Sequence, residues 1–231
     1  MTITLVTGAN RGLGYETARQ LIEAGHIVYI GSRSRSNAER AAGELQALAL
    51  VIDVTDDASV RAAADLVEAE RGRLDVLVNN AGIAGVRRPL PEITASDAAT
   101  VFDTNVVGIV RVMHAFLPLL RRSERGVVVN VGSGLGSFAH VHDPARIEFT
   151  AGNLAYNASK AAVSMLTVQY ARAFPDLRIN VVDPGYTATD LNGFRGTQSV
   201  VEGAAPIVSA ALLTGDGPTG AFLDAAGDVP W

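Results

Sequence analysis

Tyr156 and Lys160 stand four positions apart in Tyr156-Asn157-Ala158-Ser159-Lys160, at the head of a stretch whose inner stripe is Ala161, Val163, Leu166, Thr167 and Tyr170. That stripe has a helical period, so the phenol and the ammonium share one helix face, a turn apart. The pairing has a chemical use. A phenol titrates at about 10 in water and is poorly matched to proton exchange with an alcohol or carbonyl near neutral pH. A cation about 4 Å away is worth at most about 4 kcal/mol at an effective dielectric of about 20, so Lys160 is expected to draw Tyr156 towards neutrality. Ser133 precedes the pair at the end of the Val-rich run 126–131, which reads as a strand. In open α/β sheets, ligands bind at the carboxyl edge to which such a strand delivers its last residues.

A second constellation opens the chain. Thr7-Gly8-Ala9-Asn10-Arg11-Gly12-Leu13-Gly14 follows the apolar run Ile3–Val6 and leads into a helical pattern of Leu13, Thr17, Leu21 and Ile22. A helix start placed after such a turn binds an anion by its orphan N–H groups and its dipole, and glycines let a diphosphate approach the backbone. Residues 26–30 read as the next strand, with Gly31-Ser32-Arg33-Ser34-Arg35-Ser36 as the loop at its end. In a dinucleotide-binding sheet this loop meets the adenosine ribose, where an acid accepts from the 2′-OH of NAD and an arginine accommodates the 2′-phosphate of NADP. No carboxylate is present there. Arg33 follows Ser32, and Arg11 is a second cation within reach of the same phosphate, so the expected cofactor is NADP(H).

The elements that must position these groups alternate along the whole chain. Strand-like runs recur at 48–54, 74–78, 126–131, Arg178–Val182 and 220–223, with helical patterns between them, including 96–122 and 199–212. No linker, repeat or low-complexity stretch interrupts them. The alternation predicts an α/β fold: a doubly wound, Rossmann-type, seven-stranded parallel sheet with helices on both faces, in a single domain over 1–231.

The glycine loop has the form T-G-x-x-x-G-x-G. It is followed in order by Asn79-Asn80-Ala81-Gly82, Asn105-Val106-Val107-Gly108, Ser133, the Tyr156/Lys160 pair and Asp183-Pro184-Gly185-Tyr186-Thr187-Ala188-Thr189. This series resembles the short-chain dehydrogenase/reductase family, in its single-domain carbonyl-reductase-like branch. The resemblance implies a cofactor cradled by Gly8, Asn10, Arg11, Gly12, Leu13 and Gly14, with Ser32 and Arg33 at the ribose and Asp53 and Val54 beside the adenine. It places Asn79, Ala81 and Gly82 along the cofactor's path, the asparagine amides also stabilising the sheet. Pro184, Gly185 and either Thr187 or Thr189 would bind the carboxamide, the spacing favouring Thr189. It further implies that Ser133 holds the carbonyl oxygen, Tyr156 donates the proton and Lys160 also bonds the nicotinamide ribose. Asn105 would hold a helix distortion and support a relay to that lysine; simple bonding to a neighbouring carbonyl is the other account of a buried amide.

The function so implied is NADPH-dependent reduction of a small aldehyde or ketone to the alcohol. The alternatives are an NADP-dependent alcohol or steroid-type dehydrogenase acting oxidatively, or an NADP-binding sensor with a partner protein. The intact Ser133, Tyr156 and Lys160 argue against the sensor.

The composition narrows the partners. A net charge of −5 over 231 residues disfavours nucleic acid, and the absence of cysteine removes disulfides, thiolate metal sites and thiol catalysis. A reducing, cytoplasmic location is the expectation. No secretory segment precedes the first strand, and no apolar run approaches the roughly 20 residues that span a bilayer. His140, His142 and Asp143 lie close in sequence without a further ligand pattern, so no metal is expected. They sit in a segment, 138–153, longer than the family's common pattern. Its Phe138, Val141, Ile147 and Phe149 are expected to pack over the outer surface of the helices at 96–122 and after 153. That covering predicts a monomer or weak homodimer.

Overall fold

A computed structural model describes all residues, 1–231. The elements in chain order are β1 Ile3–Val6, α1 Gly12–Glu23, β2 Ile27–Ser32, α2 Arg35–Leu45, β3 Leu48–Val51, α3 Asp57–Arg71, β4 Val76–Asn79, α4 Ala95–Phe102, α5 Gly108–Leu120 and β5 Val127–Val131. Then come α6 Phe138–His142, α7 Ile147–Thr150, α8 Leu154–Ala173, β6 Arg178–Val182, α9 Val200–Ala211, β7 Phe222–Asp224 and β8 Gly227–Asp228. The sheet order is β3-β2-β1-β4-β5-β6-β7-β8, parallel throughout except for the antiparallel β7–β8 pair.

Strand residues alternate between two cores, as the period of two requires. Val6, Val28, Ile30, Val76, Val78, Val127 and Val129 pack with α1, α2 and α9 on one face. Leu5, Tyr29, Leu77 and Val128 pack with α3, α5 and α8 on the other, around Phe116, Met113 and Val163. Both faces being covered, the strands are near-continuous apolar runs.

Three expectations about the elements change. The sheet has an eighth strand, because Asp224 Oδ1 accepts from the N–H groups of Ala226 (2.7 Å) and Gly227 (3.0 Å) and folds the chain back on β7. β2 runs on through Gly31 and Ser32, which pair with Leu50 and Val51, so the expected loop shrinks to Arg33 and Ser34. Gly31 permits this: a β-carbon there would lie 2.8 Å from Val6 O. β3 in turn stops at Val51 rather than 54, and Asp53 bends the chain by accepting from the Thr55 N–H at 3.0 Å.

Helical residues Ala95–Leu120 form a run long and apolar enough to cross a membrane, with a mean hydropathy of 1.2 in the most apolar window. Here the run packs on α3 and α8 as a layer of the fold. It is broken by a π-helical turn, Asp103–Val107.

A buried polar chain crosses the sheet. Asn79 Nδ2 donates to Asn130 Oδ1 (2.8 Å), and Asn130 Nδ2 donates to Thr167 Oγ1 (2.9 Å), which donates to Val163 O. Asn130 is 0% exposed. Asn130→Ala should therefore lower stability by about 2–4 kcal/mol, since it strands the Asn79 amide and removes packing. An unchanged urea midpoint would show the chain to be dispensable.

Candidate active site

The sheet reverses its winding between β1 and β4, and the loops that leave these strands are bonded to each other there. Thr7 Oγ1 accepts from the N–H groups of Asn80 and Ala81, both at 3.0 Å, while Asn80 Nδ2 donates to Thr7 O (2.8 Å) and Gly8 O (3.2 Å). From this switch point a cleft of about 2060 Å³ runs along the carboxyl edge of the sheet.

Most of the expected residues line it: Gly8, Asn10, Arg11, Gly12, Leu13, Gly14, Ser32, Arg33, Asp53, Val54, Ala81, Gly82, Ser133, Tyr156, Lys160, Pro184, Gly185, Thr187 and Thr189. Asn79 does not. Adjacent positions of an extended strand point to opposite faces, so Asn79 joins the buried chain and Asn80 takes the edge.

At the amino-terminal end, α1 begins without a side-chain cap, so its first N–H groups are free for an anion in the cleft. Gly8 and Gly12 sit at φ 64° and 56°, a left-handed conformation that favours glycine. Three cations border this end. Arg11 pairs with Asp190 at 3.6 Å, and Arg40 with Glu44 at 2.8 Å while also donating to Asn10 O. Arg33 is exposed and forms no ion pair. Burial opposes the charge on Asp53, but donors from Thr55 together with Arg33 and Arg111 hold its carboxyl below the usual value.

At the other end, β5 delivers Ser133 and α8 delivers Tyr156 and Lys160. Lys160 is 7% exposed and donates to Val131 O at 2.7 Å; its Nζ stands 5.5 Å from the Tyr156 ring centroid. Burial pushes the Tyr156 phenol above its usual value and the Asp183 carboxylate adds to this, against a smaller effect of the hydrogen bond to Ser133. The expected drift of Tyr156 towards neutrality is therefore reversed. Lys160 donates to Val131 O rather than to the phenol, and lost solvation with the nearby carboxylate prevails at Tyr156. Burial also brings Lys160 down to about 8, with Asp183 pulling the other way.

Asn105 lies in the π-helical turn, as a residue that distorts its helix would. It is 2% exposed and outside the cleft lining: Oδ1 accepts from Ile83 N–H (2.9 Å), and Nδ2 donates to Ile83 O and Ser159 Oγ, both 3.0 Å. Ser159 Oγ donates to Tyr156 O at 2.7 Å. Asn105 thus bonds the first turn of α8 through Ser159. Asn153 caps that turn, accepting from Tyr156 N–H (3.3 Å) and donating to Ala84 O (2.8 Å). Neither Ser159 nor Asn153 stood out in the sequence, although an asparagine three residues before a helical pattern is an N-cap signal.

Thr187 is buried, and its hydroxyl donates to Pro184 O (3.1 Å) and accepts from Gln198 Nε2 (2.9 Å). That occupies Thr187 in shaping its own loop, while Thr189, in a capping box with Asn192, lines the cleft beside it.

The segment 138–153 departs from expectation. It contains two short helices, and Phe138, Ile147 and Phe149 are exposed rather than packed. Ser137 Oγ donates to Pro230 O (2.6 Å) and Ala139 N–H to Trp231 O (3.2 Å), which draws the segment to the carboxyl-terminal tail. Val110 of α5 and Met165 of α8 remain bare.

The model for "short chain dehydrogenase" matches residues 2–199. A short-chain dehydrogenase, anuI, of Penicillium roqueforti is 39% identical over 90% of this chain and 88% of its own. A (+)-neomenthol dehydrogenase of Capsicum annuum is 31% identical over 95% and 94%. An NADPH-bound carbonyl reductase from chicken fatty liver superposes with a TM-score of 0.87 over 100% of both chains, at 26% identity. Cleft, loops and sequence likeness agree: this chain belongs to the short-chain dehydrogenase/reductase family, oxidoreductases that act on carbonyl or alcohol groups with nicotinamide cofactors.

Proposed function

We propose that the protein reduces a small aldehyde or ketone to the alcohol at the expense of NADPH. The observation that carries this reading is the make-up of one cleft: Ser133, Tyr156 and Lys160 stand together at one end, and the glycine loop with the unpaired Arg33 borders the other.

The residues present fit the cofactor. The uncapped start of α1 and Gly12 would take the diphosphate, Arg33 and Arg11 the 2′-phosphate, and Thr189 with Gly185 the carboxamide. The chemistry such a cofactor supplies when bound is a hydride. Ser133 holds and polarises the carbonyl oxygen, and Tyr156 releases its proton to that oxygen as charge develops. Lys160 bonds ribose hydroxyls and steadies the phenolate left behind. Asn105, through Ser159, holds the turn that sets the phenol's position.

NADPH oxidation followed by absorbance against a panel of aldehydes, ketones, quinones and diketones tests the proposal. Turnover of any class supports it; NADPH binding without turnover of any would favour the sensor.

The charge of Lys160 gives a pH signature. In the free protein Lys160 is charged below about 8 and neutral above it, while Tyr156 keeps its proton over the same range. The kcat/KM for NADPH should therefore fall as pH rises through about 8. A profile flat to pH ~10 would remove Lys160 from cofactor capture.

A further inference from the structure

Next to Ser133, side chains from three separate segments converge over the α-carbon of Gly134. A β-carbon there would lie 2.6 Å from Glu148 Oε1, 2.9 Å from Asp183 Oδ2 and 3.2 Å from His140 Nδ1. Any side chain at 134 would fill the gap, and only glycine leaves it to those three donors. The donor atoms lie within 4.8 Å of one another.

Two facing carboxylates would not by themselves make a site. His140 supplies the independent observation: it is 5% exposed, and its Nδ1, directed into the gap, has no hydrogen-bond partner. A polar atom buried without a partner is costly and uncommon. The chain relieves the two carboxylates in part, with Gly134 N–H also a donor to Asp183, but it offers nothing to His140 Nδ1. Arg146 donates to Glu148 at 3.2 and 3.4 Å, and Asp183 Oδ1 accepts from Gly185 N–H at 2.9 Å, but Asp183 forms no ion pair. His142, two residues from His140, turns its Nδ1 to Phe138 O instead.

We propose that His140, Glu148 and Asp183 bind one divalent transition-metal ion of the zinc type, which ties the α6–α7 segment to the floor of the cleft. One imidazole nitrogen and two carboxylate oxygens form a donor set that suits zinc, cobalt or manganese better than calcium or magnesium, which favour oxygen alone. His140 lies behind the cleft wall, so the gap between the donors takes a single ion and not an organic ammonium group. Ligation at about 2.1 Å needs donors ~3.4 Å apart, a contraction on the order of 1 Å that side-chain rotation provides. Water would complete the coordination.

The test needs no turnover and is independent of the reductase reading. The full chain, stripped with a chelator, is titrated with ZnCl2 by calorimetry and with CoCl2 by visible absorption, and its melting temperature is read with and without ZnCl2. One equivalent of zinc should bind and raise the melting temperature. His140→Ala and Glu148→Gln should each weaken zinc binding by about 10-fold or more, whereas His142→Ala should leave it unchanged. Circular dichroism checks that the variants fold; the half-buried Glu148 gives a second reading should His140→Ala misfold. No stoichiometric binding by the wild type, binding that survives both ligand changes, or binding lost in His142→Ala would each overturn the proposal.

Discussion

Replacing Tyr156 by phenylalanine should cut turnover by roughly 100-fold or more while leaving NADPH affinity nearly intact. The substitution keeps the ring and removes only the hydroxyl that meets Ser133. No hydrogen bond of the glycine loop or of the Pro184–Gly185 turn depends on that hydroxyl. Its effect therefore falls on proton transfer, which matters in the transition state and hardly in the binary complex. Lys160→Ala should behave differently and damage both quantities. Lys160 is buried, bonded to Val131 O, and assigned to ribose and phenol alike. Fluorescence titration with NADPH, set beside steady-state rates on a responsive carbonyl compound, separates the two patterns. A Tyr156→Phe protein with near-normal turnover would sink the mechanism.

Much of this arrangement could be read from the residues because it is local. Parallel strands covered on both faces appear as apolar runs such as Val127–Val131, and a phenol and an ammonium four apart must share a helix face. Strand ends were less legible, since Ser32 continues pairing only because Val51 lies beside it, and that is a matter of register rather than composition. The same holds for side chains that meet across long separations. Asn105 reaches Ser159, and Asp183 meets Glu148 and His140, through the sheet order alone. Burial first, and Asp183 second, also account for the misjudged phenol. Local spacing showed the cation at 160, while the burial is a property of the whole cleft and the carboxylate follows β6, far away in the chain. In 138–153 the apolar residues were visible but their direction was not. It follows from two bonds to the carboxyl-terminal tail, at Pro230 and Trp231.

Arg33→Asp should weaken NADPH binding by about 2–3 kcal/mol, roughly 30- to 150-fold, through loss of a charge-assisted hydrogen bond and new repulsion. NADH binding should hold or improve, because a carboxylate at this place can accept from a ribose 2′-OH. Arg33 carries this expectation better than its neighbours. Arg11 is paired with Asp190 and Arg40 with Glu44, so each is partly neutralised already, whereas Arg33 has no ion pair and lines the cleft in the two-residue gap between β2 and α2. Being exposed, it can change without disturbing the core. Its field also reaches Asp53, whose carboxyl it helps to keep ionised. An aspartate at 33 would leave two carboxylates facing the adenosine end, so the penalty should fall on the phosphorylated cofactor and ease with added salt. Paired titrations of both cofactors on wild type and variant decide the matter. A wild type that prefers NADH, or a variant that loses both cofactors equally, would remove Arg33 from phosphate recognition.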